Sequence, residues 1–319
     1  MYFFIFSLKL GILLSKFYSL IRLAHIINPV KAREGVDLFK TQAITFKSIA
    51  QAKAFTSYNI QVSLFATCFE NEVEIVPDYF TLLSFLEHNI RDIFKGNNFP
   101  QLPFIDEIFN KVKEVDADYI IYTNADIALM PYFYEAVAFY ISKGHDAISV
   151  NRRRLTYTHM SELSLPILYS DIGLSHPGFD CFIFKKELLN NFVLGKLCLG
   201  IPFVEVALLH NMAAFSSNPL YLTKEHLTFH IGAEVMPSRN KILYTYNRNL
   251  FFKTIYPVLK PMLSLQKLPY YALPMHKRAL KWLLNPSLFT FNYLRLERLN
   301  VFKKMKYLMD EIRWRMLER

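Results

Sequence analysis

Cysteine is scarce in this sequence. Cys68, Cys181 and Cys198 are an odd number without CxxC spacing, which argues against both a disulfide framework and a zinc site and favours a reducing, cytosolic setting. Long apolar runs are lacking too. The most apolar stretch, residues 1–21, is interrupted by Lys9 and Lys16, so it falls short of the ~20 residues of a membrane span. It has no small-residue cleavage site of a signal peptide, and it reads as an amphipathic surface helix or as residues upstream of the true start. There is no Walker loop, GxGxxG fingerprint, HExxH or GxSxG, which counts against several common enzyme classes. No nucleic-acid-binding motif, internal repeat or Gly/Ser-rich linker is present either.

What is present suits a folded α/β chain with a substantial core. Of 319 residues, 52% are apolar and 20% charged, with 29 Phe and 19 Tyr, far from the composition of a disordered chain. The net charge of +10 is unevenly spread. Residues 241–319 carry 16 Lys and Arg against 4 Asp and Glu, whereas the first 240 carry 21 against 23. A near-neutral body with a basic, aromatic C-terminal part fits contact with an anionic membrane surface better than a nucleic-acid groove. An amphipathic helix is expected over 293–317.

The most informative stretch is Asp116 to Tyr140. Tyr119 to Thr123 is a short apolar run bounded by acids, which argues for a buried strand. Asn124, Ala125 and Asp126 stand at its carboxyl end, and a helix is expected to open at Pro131. In open α/β sheets ligands bind at the carboxyl ends of strands. Asp126 and Asn124 can offer hard oxygen ligands to Mg²⁺ or Mn²⁺, and the triplet also suits an Asx turn capping the following helix. The pair Asp116 and Asp118 lies at the opposite end of the strand and reads as a solvated turn.

YIIYTNADI resembles the strand and acidic DxD turn of GT-A-type glycosyltransferases, with Asn124 in place of the first acid. The resemblance covers roughly residues 22–235 and implies a GT-A-like, Rossmann-like fold: a mostly parallel sheet flanked by helices, using a nucleotide-sugar donor. It implies Asn28 and Pro29, after a first strand over Leu23–Ile27, near that donor. It places Gly178 and Asp180, at a turn entering the next apolar strand, beside the donor sugar, with His176 close by. Glu205, near the amino end of a helix reaching to about Met212, takes the place of a general base in inverting relatives. His230, before an Ile231-Gly232 turn, stands where a closing His lies by the metal or diphosphate. Structural readings apply equally: a strand-ending turn at Asn28-Pro29, a type II turn at Pro177-Gly178, and a helix-dipole preference for Glu205.

The remaining expectations follow in chain order. Helices are expected over 41–55 and 104–115, the second with a core face of Ile105, Ile108, Phe109 and Val112. Strands are expected over 61–66, over 147–150, and ahead of His230. The strand at 147–150 opens on Arg152, Arg153 and Arg154, which can clamp phosphates or an anionic acceptor, or form a solvated edge. The expected organisation is an N-terminal segment over 1–21, a GT-A-like domain over 22–240 and a basic helical appendage over 241–319. The expected activity is metal-assisted sugar transfer from a nucleotide-diphosphate donor to a glycan or lipid-linked acceptor in surface polysaccharide or glycolipid synthesis. The expected location is cytoplasmic, peripheral at the inner face of a membrane. The rival readings are a non-catalytic GT-A-like scaffold, for which the missing first acid leaves room, and a nucleotidyltransferase, for which no Gly- and Lys/Arg-rich loop is present near Asn28.

Overall fold

The computed structural model describes residues 20–32, 37–95, 99–155, 165–230 and 240–284. The apolar segment over 1–19, the helix expected over 293–317 and the Ile231-Gly232 turn lie outside the described residues. Among the described residues nine strands form one sheet: β1 Ile21–Ile27, β2 Ile60–Ala66, β3 Thr81–Leu82, β4 Tyr119–Thr123, β5 Ile127–Leu129, β6 Ala147–Arg154, β7 Leu174–Lys185, β8 Pro219–Leu222 and β9 Thr228–His230. Their order is β3-β2-β1-β4-β7-β6-β9-β5, with β8 also paired to β6. The pairings of β1 with β2 and β4, of β2 with β3, and of β6 with β8 and β9 are parallel; β7 runs antiparallel to both neighbours. This is the α/β class, with a mostly parallel sheet flanked by helices.

Period-2 alternation along the central strands sends side chains to two cores. Ala24, Ile26, Ile120, Tyr122, Phe182 and Phe184 pack on one face with helices α2 Ile105–Val112 and α4 Val204–Phe215. Leu23, Ile27, Ile121, Cys181 and Ile183 pack on the other with α1 Asp37–Ala54 and α3 Phe133–Ser142. β4 is buried along its whole length, because it lies between β1 and β7 inside the sheet and helices cover both faces. The core face expected of α2 is buried at all four positions. In α1, Ile44, Ile49 and Ala52 are buried, but Phe55 lies past the helix end and is exposed.

Four local expectations are corrected. The helix after Asp126 does not start at Pro131: a short strand, β5, comes first, and the helix begins at Phe133 behind Tyr132. Asn124-Ala125-Asp126 is therefore a turn between two strands, closed by Ile127 N–H donating to Asn124 O at 3.2 Å. No turn interrupts residues 174–185, which form one long strand. Its irregularity appears instead as register shifts against β6 around Asn151; such bulges re-aim side chains. β6 itself runs on through Arg152, Arg153 and Arg154 rather than ending before them. Finally, Asp116 and Asp118 are not merely solvated, since both form ion pairs with Arg22.

After the sheet, α5 Lys241–Leu250 is N-capped by Asn240, whose side chain accepts from Ile242 and Leu243 N–H. It continues through a π turn, Phe251–Ile255, that buries both end residues. A helix α6, Met275–Leu284, closes the described part. All three cysteines are free and buried. No described helix is long and apolar enough to cross a membrane.

Candidate active site

The site forms where strand ends converge. Thr123, last in β4, lies in register with Ile27 of β1 and Cys181 of β7; Cys181 faces Val150 of β6; and His230 of β9 faces both Ile127 and Arg154. The topology thus gathers Asn28, Asn124, Asp126, Arg152, Asp180 and His230, residues scattered over two hundred positions, at one edge of the sheet. Helix α4 adds Glu205 in its first turn.

Two close polar pairs organise this edge. His230 Nε2 stands 3.2 Å from Asp126 Oδ2, and Arg152 Nη1 stands 3.3 Å from Asp180 Oδ1. Burial acts to raise the Asp126 carboxyl, but the hydrogen bond and charge of His230, with help from Arg152, hold it below the ordinary carboxylate range. Glu205 behaves oppositely. Burial, with the negative charges of Asp180 and Asp126 added, pushes it up to about 7, while Arg152 pulls the other way. The same groups reach Tyr122 beneath them: burial first, then Glu205 and Asp126, raise its hydroxyl well above the usual range. Tyr122 donates to Asn124 Oδ1 at 3.3 Å.

Buried polar atoms are nearly always paired, and this edge holds exceptions. Asn28 Oδ1, Asp180 Oδ2 and His230 Nδ1 are buried without a hydrogen-bond partner. Asn28 is held rigidly, because its Nδ2 donates to Thr67 O at 2.7 Å, so its unpaired atom is a fixed acceptor. Leaving such atoms dry and unmatched costs ~1–3 kcal/mol each, a cost that a polar ligand would relieve.

The other expected residues are placed as follows. Pro29 follows Asn28 beyond β1. Gly178 is buried in β7, within the bulged stretch. His176 lies on the same strand. Arg153 is engaged by the scaffold: its guanidinium donates to Ile172 O, to Gly173 O at 2.9 Å and to Lys224 O at 3.1 Å. Arg154 stands at the end of β6 in register with Leu174 and His230. The charge of Arg152 reaches Asp126, Asp180 and Glu205.

Two residues with no sequence signal position Glu205. Phe203, the N-cap of α4, adopts a left-handed φ of 92°, an unusual conformation for a bulky side chain. It is held there by packing against the rings of Tyr244, Phe251 and Phe252. Asn247 of α5 clamps the preceding loop, accepting from Cys198 N–H and donating to the carbonyls of Cys198, Ile201 and Pro202 at 2.9–3.2 Å. The start of the Glu205 helix is thus fixed by the C-terminal segment. A single-sequence pattern offers no sign of a contact spanning more than forty residues.

Asp126 Oδ2 and His230 Nε2 are separated by 3.2 Å, close to the roughly 3 Å between adjacent ligands of an octahedral ion with ~2.1 Å bonds. Asn124 stands two residues before Asp126 in the same turn, its Oδ1 accepting from Tyr122. Among the described residues no group of three or more His, Cys, Asp and Glu gathers around such a point. Most of the coordination of an ion here would fall to ligand oxygens and water, as is usual for Mg²⁺.

No protein-family model matches the sequence, and no curated protein does. Among solved structures, the chain is similar to S. aureus TarS residues 1–349 in complex with UDP, with a TM-score of 0.42 and 12% identity over 77% of each chain. It is similar to the same fragment with UDP-GlcNAc at a TM-score of 0.39 and 12% identity, over 86% of this chain and 92% of that one. Against a longer TarS structure the TM-score is 0.41 at 11% identity, covering 66% of this chain and 37% of the longer one.

Proposed function

We propose that the protein is a glycosyltransferase that moves a sugar from a nucleotide-diphosphate donor to a hydroxyl of a glycan or lipid-linked acceptor. The observation that carries this reading is Glu205, a carboxylate raised to about 7, set beside the Arg152–Asp180 and Asp126–His230 pairs at the carboxyl edge of the sheet. Each group has a role its chemistry suits. Asn28 Oδ1 accepts from the donor's base, and Arg152 offsets charge on the diphosphate. Asp180 Oδ2 accepts a hydrogen bond from a sugar hydroxyl. Glu205 takes the proton from the acceptor hydroxyl as its oxygen bonds to the anomeric carbon; the bond from that carbon to the diphosphate breaks, and the electron pair leaves with the nucleoside diphosphate. This role for Glu205 belongs to an inverting enzyme. Asp126, His230 and Asn124 would hold Mn²⁺ or Mg²⁺, which when bound would further neutralise the leaving diphosphate.

The test is a thermal-shift panel of nucleotide sugars with and without Mn²⁺ on the full chain, followed by measurement of nucleoside diphosphate release. Stabilisation by one class of nucleotide sugar, with release on adding an acceptor, is the expected result. Binding without release under any acceptor favours a non-catalytic scaffold, and no binding at all overturns the reading.

A further inference from the structure

From Asn240 to Leu284 the chain carries eight Lys and Arg and no Asp or Glu. Large apolar side chains stand exposed among them: Val258, Met262, Leu265, Met275 and Leu280 are each 40% or more accessible. The outer face of α5 and its π turn carries this pattern into a groove of about 680 Å³. Ile242, Tyr246 and Leu250, spaced at i, i+4, i+8, line it with Phe94, while Lys241 and Lys253 stand at its two ends. Twelve helical residues separate the lysines by roughly 18 Å. The inner face of the same helix is used up, since Leu243, Asn247 and Phe251 are buried.

We propose that this surface docks on the anionic lipid of a membrane, the groove receiving apolar lipid while Lys241 and Lys253 face headgroup phosphates. The argument is charge complementarity. A second copy of the chain would bring the same excess of positive charge to this face. Residues 285–319 carry eight basic against four acidic groups, so they too are repelled. A bilayer supplies, over an extended area, both the negative charge and the hydrocarbon that a segment of interspersed lysine and aliphatic groups without Asp or Glu is fitted to meet. An acidic protein would match the charge but not the aliphatic groups distributed over successive helices. The inference stands apart from the transferase reading and makes no use of the strand-edge site.

The experiment is co-sedimentation of the full chain with vesicles of phosphatidylcholine alone and of phosphatidylcholine with phosphatidylglycerol. Binding is expected only to the second and is expected to weaken as salt rises. At ~1 kcal/mol per well-placed base, Lys241→Ala/Lys253→Ala weakens it ~30-fold, and Ile242→Asp weakens it as well. The exposed pair on α1, Lys40→Ala/Lys53→Ala, removes the same charge and changes binding by less than about threefold. All variants are checked by thermal melting, and their surface positions leave the fold intact. Equal binding to neutral vesicles, unchanged binding by the groove variants, or equal losses for the two lysine pairs overturns the proposal. Binding to polyglutamate without binding to vesicles also overturns it, in favour of an acidic protein partner.

Discussion

The two ends of β4 carry acidic residues in contrasting settings. At the amino end, Asp116 and Asp118 share Arg22: its Nη2 lies 2.8 Å from Asp118 Oδ1, and the backbone N–H of Arg22 adds a bond of 2.9 Å to Asp118 Oδ2. These groups are accessible and mutually satisfied. At the carboxyl end, Asp180 is buried and Asp126 and Glu205 are partly buried, with unpaired buried polar atoms beside them and a carboxyl raised to about 7. The literal DxD is thus an exposed clasp, and on the proposed function the chemistry falls to the edge that carries Asn124-Ala125-Asp126. Acid spacing alone does not make a site; the difference lies in which carboxylates the fold deprives of water without supplying enough partners.

The sharpest test of this contrast is Glu205→Gln, which keeps the shape and removes the base. Turnover is expected to fall ~10²–10⁴-fold with donor affinity little changed, as measured by steady-state kinetics and donor titration. On the proposed function, kcat of the parent protein should rise through about pH 7 as Glu205 loses its proton. Stability should run the other way. A carboxyl raised in the folded state contributes fully below its unfolded value near 4.5, and that contribution is lost as pH climbs through 7. Melting curves from pH 4 to 8 should therefore show the parent losing stability relative to Glu205→Gln as pH rises, by roughly 3 kcal/mol at the upper end.

Asp126→Ala should remove Mn²⁺-dependent donor binding and most turnover while leaving the fold intact, because its side chain stands at a strand end rather than in the core. Donor titration with and without the ion measures this; a variant retaining turnover would remove Asp126 from the site. Asn247→Ala should cost ~1–3 kcal/mol by stranding the carbonyls it clamps, and it should lower kcat more than donor affinity by loosening the entry to α4. Denaturant melts and kinetics together separate the two effects. The smallest effect is expected of Asp118→Ala: an exposed ion pair contributes ~0–1 kcal/mol, and turnover should be unchanged. If Asp118 proves essential, the comparison between the ends of β4 is reversed.

Much of this was legible in the residues. The buried run Tyr119–Thr123, the core face of α2, the free cysteines and the strand-end position of Asp126 follow from local pattern, since burial on both faces demands continuous apolar residues and a helical face repeats every three to four. The short strand β5 was not legible, because Ile127–Leu129 is too brief to differ from a loop by pattern. The turn expected at Pro177-Gly178 failed because local turn chemistry was overridden by pairing with β6, which absorbed the irregularity as a bulge. Arg152, Arg153 and Arg154 looked equivalent in sequence. Their environments separate them, with Arg152 facing Asp180 and Arg153 held by three carbonyls.

The sequence by itself determined an α/β chain with its acids at a strand end and its basicity confined to the C-terminal part, because composition, periodicity and charge are properties of neighbouring residues. Only the tertiary structure decided that Asp126 meets His230, that Arg152 meets Asp180, and that Glu205 sits close enough to both acids for its carboxyl to rise to about 7. Those contacts join residues far apart along the chain, and their energies depend on distance and water exclusion, which strand order and the packing of Phe203 and Asn247 establish.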